Sequence, residues 1–146
     1  MAKPKLTTLS LCVALLFGAA ACGPSLVLED VDYSQPIESV IAPDDNLEVH
    51  DQRYAVKFNI GPIIEEEGVP AEEVRLIRNR AGYYFLTASG FNNVYVFESA
   101  ESELKLETKI EIGELSQPAF NLRDGNIELV DIGTGETYTL THEGLR

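Results

Sequence analysis

From Arg53 onward, apolar and polar residues alternate. Tyr54, Val56, Phe58 and Ile60 fall on one face of an extended chain, and Arg53, Lys57 and Asn59 on the other, which is the period-two pattern of a half-buried strand. The stretch ELKLETKIEI repeats it. Leu104, Leu106, Ile110 and Ile112 share one face, while Glu103, Lys105, Glu107, Lys109 and Glu111 alternate in sign along the other. Strict alternation therefore predicts four buried aliphatic side chains and a charged ladder facing water.

Turn chemistry joins these runs into antiparallel hairpins. Asp124-Gly125 separates AFNLR from NIELV, GTG separates that strand from ETYTLT, and Ser89-Gly90 separates YYFLTA from NVYVF; short Gly-containing loops of this kind favour tight strand reversals. Between the first strand and this series, GPIIEEEGVPAEEVRLIRN carries Pro62 at a helix start and Gly68 at a stop, then Pro70 followed by Glu72 and Glu73. This predicts one or two short helical turns near 62–78, with Val74, Leu76 and Ile77 equally suited to begin a strand. Asn93–Glu98 and Asn126–Asp131 match in pattern at an offset of 33. A propeller needs about four or more blades, so similar hairpins account for the repeat. The fold class is all-β: a small antiparallel meander, as a sandwich, small barrel or partial propeller-like sheet.

Upstream of the strands the pattern changes twice. Gly23 to Asn46 carries Pro24, Pro36 and Pro43, six acids and only short apolar pieces, and reads as a tether whose flexible reach would be roughly 25 to 30 Å. Leu26 to Leu28 offer a competing edge strand. Before it, Lys3 and Lys5 precede an apolar run to Phe17, then Gly18-Ala19-Ala20-Ala21-Cys22. That order is the layout of a secretory signal peptide, and the run is too short for a permanent membrane span.

Gly18 to Cys22 resembles the lipobox of bacterial lipoprotein precursors. The resemblance covers residues 1 to 22 and implies cleavage before Cys22, acylation of its thiol and new amine, and stable membrane anchoring by two or three chains. Ala19 stands where leucine is commonest, and Ala19 with Ala21 also forms an ordinary secretory cleavage site. Gly23 replaces the aspartate that by the family's rule favours inner-membrane retention, which implies the outer membrane. The organisation is then a signal peptide over 1–21, a lipidated tether over 22–46 and a single β-rich domain over 47–146.

Composition narrows the chemistry. The formal charge of the 146-residue chain is −13, and cleavage would remove Lys3 and Lys5 but no acid. Such a field repels nucleic acid and anionic headgroups and favours a basic partner. Cys12 and Cys22 are the only cysteines, so the domain itself holds no disulfide, thiol nucleophile or cysteine-based zinc site. His50 and His142 sit beside Asp51 and Glu143, but neighbours on a strand point to opposite faces, so both read as surface histidines. Asp44, Asp45, Asn46 and Glu48 cluster oxygen ligands without the spacing or glycine of a calcium loop. Gly133-Thr134-Gly135-Glu136 lacks the lysine of a phosphate loop, and the carboxylates of Glu65–Glu67, Glu72 and Glu73 read as a solvated run. No metal, cofactor or catalytic activity is expected.

One stretch is a candidate for partner binding. Arg75, Arg78 and Arg80 run directly into Tyr83, Tyr84, Phe85, Phe91, Tyr95 and Phe97, and arginine with tyrosine is the composition of interface hot spots. With Tyr84 and Tyr95 outside, Arg75, Arg78, Arg80, Tyr84 and Tyr95 would form a cationic aromatic patch for another envelope protein or a polysaccharide. The function expected is a lipid-anchored envelope binding or accessory protein. The alternative is an acidic periplasmic inhibitor or immunity protein that blocks a basic enzyme or toxin.

Overall fold

The computed structural model describes residues 37–146; Cys22, Leu26–Leu28 and the rest of the leader and upstream tether lie outside the described residues. The strands are β1 (Ser39–Ile41), β2 (Glu48–Asp51), β3 (Val56–Asn59), β4 (Val74–Arg78), β5 (Tyr84–Ala88), β6 (Asn93–Ala100), β7 (Glu103–Glu111), β8 (Pro118–Arg123), β9 (Asn126–Asp131), β10 (Glu136–Thr141) and β11 (Gly144–Leu145), with one helix, α1 (Gly61–Glu67). They form a five-stranded sheet in the order β1-β4-β5-β6-β7, a four-stranded sheet β11-β10-β9-β8 and a two-stranded sheet β2-β3, every pairing antiparallel. The all-β meander holds, and no sheet closes into a barrel.

The hairpins fall where the turn residues place them. Arg123 pairs with Asn126, leaving a two-residue loop in which Asp124 and Gly125 have φ of 50° and 81°, the positive values that match strand twist. Gly68 ends α1 in the left-handed region, at φ 71°, with its N–H bonded to the Ile64 carbonyl, a conformation that costs glycine little. The run after Pro70 is not helical, and Val74 opens β4. Residues 52–55 are a turn, so the first predicted strand begins at Val56. Ile60 is nonetheless buried in the core that Tyr54, Val56 and Phe58 line. β1, inside the stretch assigned to the tether, pairs Ser39 with Leu76 and Ile41 with Val74.

The five-stranded sheet is covered on both faces. Val74, Leu76, Tyr84, Leu86, Ala88 and Tyr95 point into one core with Val49, Ile60, Ile63 and Phe91 from the β2-β3 hairpin, α1 and the β5–β6 turn. The alternate residues Ile77, Phe85, Val94, Val96 and Ile110 meet Leu115, Phe120, Ile127, Leu129 and Leu140 around the four-stranded sheet. Double coverage explains why every residue of β5 is buried and why its apolar run is continuous.

β7 departs from strict alternation. Val96 pairs with Thr108, but the next residue, Phe97, pairs with Leu106. Glu107 is therefore the extra residue of a β-bulge, and the side chains on either side of it exchange faces. Leu104 packs with the first core, whereas Ile110 and Ile112 belong to the second. Leu106 is 50% exposed and Ile110 4%, so the four aliphatic residues do not share a buried face. Nor does the whole charged ladder face water, because Lys109 is turned toward α1 and pairs with Glu66.

Candidate functional site

The arginine and tyrosine stretch does not form a shared surface. On a strand, residues three apart point to opposite faces, and β4 sends Arg75 and Arg78 apart. Arg75 Nη1 donates to Glu38 Oε2 at 3.2 Å, while Glu38 Oε1 accepts the Phe120 N–H at 2.7 Å. One carboxylate thus joins β4 to an outward-facing donor of the edge strand β8. Arg78 lies with its guanidinium carbon 5.6 Å from the centroid of the Tyr84 ring, a cation–π distance, and its Nε is buried. Arg80 is exposed in the β4–β5 turn.

The two tyrosines are core residues. Tyr84 is 7% exposed and Tyr95 1%; Tyr84 meets Tyr54 edge-on at 5.9 Å, and Tyr95 meets Phe91 edge-on at 6.5 Å. Neither presents a ring face to a partner. The Tyr95 hydroxyl donates to Glu67 Oε1 at 2.9 Å, and burial together with this carboxylate pushes the phenol well above its ordinary value.

Glu67 belongs to the glutamate run that reads as solvated, yet it is a bracket between α1 and β6. It also accepts the Asn92 N–H at 2.7 Å and the Asn93 Nδ2 at 2.8 Å. Burial opposes its charge, but these bonds and the Tyr95 hydroxyl outweigh it and hold the carboxyl below its usual range. Asp131 does the same for the β7–β8 connection. It is 1% exposed and accepts N–H groups from Ser116 at 2.9 Å, Gln117 at 2.8 Å and Gly133 at 3.1 Å. Desolvation again works against the charge and the backbone donors prevail, lowering its pKa.

The remaining candidates are accounted for locally. Asp44 Oδ1 accepts the N–H groups of Asn46 and Glu48, and Glu48 pairs with Lys57 at 2.7 Å. The calcium-like cluster thus shapes a turn and an ion pair. His142 stacks on Tyr83 with centroids 4.2 Å apart, and His50 is exposed opposite Lys57. Among the described residues no three His, Cys, Asp or Glu side chains gather as metal ligands.

What the fold does open is a pair of hollows that meet at Leu104. The first, of about 280 Å³, lies between α1, β3 and the sheet margin, with Phe58, Ile63, Phe97, Leu104 and Leu106 on its walls. Phe58 of β3 sits against Phe97 of β6 with centroids 6.3 Å apart, and Leu106 forms the exposed lip. The second, of about 300 Å³, is more polar, with Tyr54, Lys57, Tyr84, Glu101 and Glu103 around it. Lys57 and Glu66 are engaged by Glu48 and Lys109. Glu101 and Glu103 are exposed and enter no ion pair among the described residues.

Sequence reasoning missed this site because it depends on the bulge at Glu107. The one local sign is Thr108, the polar residue in an otherwise aliphatic alternate series. No protein-family model matches the chain, and neither a curated protein nor a solved structure does, so the geometry of these residues carries the functional argument.

Proposed function

We propose that the protein is a lipid-anchored, non-catalytic docking module of the bacterial envelope, tethered through an acylated Cys22 to the outer membrane and holding another envelope protein in the groove around Leu106. The observation that carries the docking half is the apolar groove itself. At one margin of a sheet otherwise covered on both faces, Phe97, Leu104 and Leu106, with Phe58 of β3 facing them, leave apolar surface open, and Leu106 is half exposed. The tyrosines that would stack on a polysaccharide, Tyr84 and Tyr95, are buried.

The anchoring half rests on the lipobox-like segment. Intact mass spectrometry of the membrane form is expected to give an acylated N-terminus at Cys22, and Cys22→Ala is expected to release or mislocalise the protein; an unmodified Cys22 leaves simple secretion. For docking, affinity recovery from solubilised envelopes is expected to return a stoichiometric partner with the parent protein and to lose it with Leu106→Asp at unchanged folding.

An inhibitory role is favoured by one feature, the exposed Glu101 and Glu103 beside the groove, which enter no ion pair among the described residues. It requires the recovered partner to be a basic enzyme or toxin whose activity falls on binding.

A further inference from the structure

The two hollows differ in chemistry and share a wall, which constrains what lies across them. We infer that the occupant is a cationic amphipathic segment of the partner, with aliphatic side chains seated between Phe58, Phe97 and Leu106 and a lysine or arginine set over Glu101 and Glu103. The inference rests on the docking reading and names the partner's chemistry.

Charge decides among the occupants that an apolar groove admits. The groove's own ionic groups are satisfied where they have partners: Lys57 by Glu48 and Glu66 by Lys109. What stays without an ion-pair partner among the described residues is negative, Glu101 and Glu103 on the wall of the adjoining hollow, on a chain of formal charge −13. A fatty acid or phospholipid seating its chain beside Leu104 would set a carboxylate or phosphate against those two glutamates in an already negative field. A second copy of the chain would carry the same charge. A segment that ends its aliphatic run in a cation places apolar atoms where Leu106 is exposed and positive charge beside Glu101 and Glu103, in a hollow whose one lysine, Lys57, is engaged by Glu48. Complementarity of this kind speeds encounter and fixes register.

The test uses a fluorescein-labelled, end-blocked hexapeptide of alternating leucine and lysine, titrated with the folded protein by fluorescence anisotropy at low and high salt. The comparison peptides are an all-lysine hexamer and alternating leucine and glutamate. Leucine-lysine is expected to bind best. Leu106→Asp is expected to weaken it by about tenfold or more, since an interface anchor is removed and a carboxylate placed in the groove. The double change Glu101→Gln, Glu103→Gln is expected to weaken binding and flatten its salt dependence. Ile132→Asp, at another exposed aliphatic residue 65% accessible, is expected to leave it unchanged. Thermal melts confirm that each variant is folded.

Equal binding of the all-lysine peptide, equal loss in Leu106→Asp and Ile132→Asp, or tighter binding of leucine-glutamate overturns the inference. An envelope partner that is lost with Leu106→Asp but not displaced by the leucine-lysine peptide overturns this occupant and leaves the docking reading standing. Recovery indifferent to Leu106→Asp overturns docking at the groove itself.

Discussion

Replacing Ile110 and Leu106 separately with alanine tests the bulge on which the groove depends. Ile110 is 4% exposed, in the core it shares with Phe85, Val94 and Leu129; truncating such a side chain costs about 2–5 kcal/mol through lost transfer energy and the cavity left behind. Leu106 is 50% exposed. Full burial of a leucine contributes about 1.5–3 kcal/mol, so half of it amounts to about 1 kcal/mol, and a side chain at a groove lip leaves no enclosed cavity. Urea unfolding at constant slope reads the difference as a shift in midpoint. In thermal melts at about 4 °C per kcal/mol, Ile110→Ala is expected to lose roughly 8–20 °C and Leu106→Ala a few degrees. A double-mutant cycle adds a second readout. Ile110→Ala with Leu129→Ala, in one cluster, is expected to couple by about 0.5 kcal/mol or more, whereas Leu104→Ala with Leu129→Ala is expected to be additive. If β7 alternated strictly, Leu104, Leu106 and Ile110 would face one core. Equal costs at 106 and 110, or equal coupling of 104 and 110 to Leu129, would refute the bulge and with it the groove.

Three further outcomes follow from the carboxylates that tie elements together. Asp131→Asn turns one acceptor oxygen into a donor facing backbone N–H groups and is expected to cost about 1–3 kcal/mol at neutral pH. Because folding lowers this carboxyl's pKa, its contribution is complete above the ordinary aspartate value of about 4 and fades as pH falls through the folded value, so parent and variant should converge in acid; a constant gap refutes the assignment. Glu67→Gln is expected to destabilise by about 1 kcal/mol, screened at this partly exposed position, and to bring the titration of Tyr95 down in ultraviolet absorbance, though burial still holds it up. Glu38→Ala is expected to cost more in urea than Arg75→Met, since the glutamate alone also satisfies the Phe120 N–H; equal costs would mean that the ion pair is its whole role.

Much of the fold was legible because antiparallel strands and tight turns are local. Alternation located the faces of Val56–Ile60, and the demand for positive φ located the turn at Asp124-Gly125. α1 was legible from Pro62 and Gly68. β1 was not: Ser39–Ile41 is three residues long between Pro36 and Pro43, too short for a period to show. The double coverage of the central sheet was hidden for a different reason. Which face of a strand meets which layer is set by elements far away in sequence, and Ile77 and Leu76 are equally apolar although they enter different cores.

The site was the least legible part, and the pleat explains why. A contiguous run such as RLIRNRAGYY concentrates suggestive side chains, but a strand sends successive ones to opposite faces, so β4 and β5 divide Arg75 from Arg78 and bury Tyr84. A continuous patch on a sheet is assembled across strands instead, from residues two apart on each. Here that means Phe97 opposite Leu106 and Ser99 opposite Leu104, roofed by Phe58 and Ile63 from elements some 40 positions upstream. The extra residue at Glu107 brings Leu104 and Leu106 to that face and sends Ile110 to the other, so one insertion in the ladder both completes the second core and exposes the groove. A docking surface and a stabilising core are thereby drawn from the same aliphatic series. The substitutions that separate them lie only four residues apart, Leu106 for binding and Ile110 for stability.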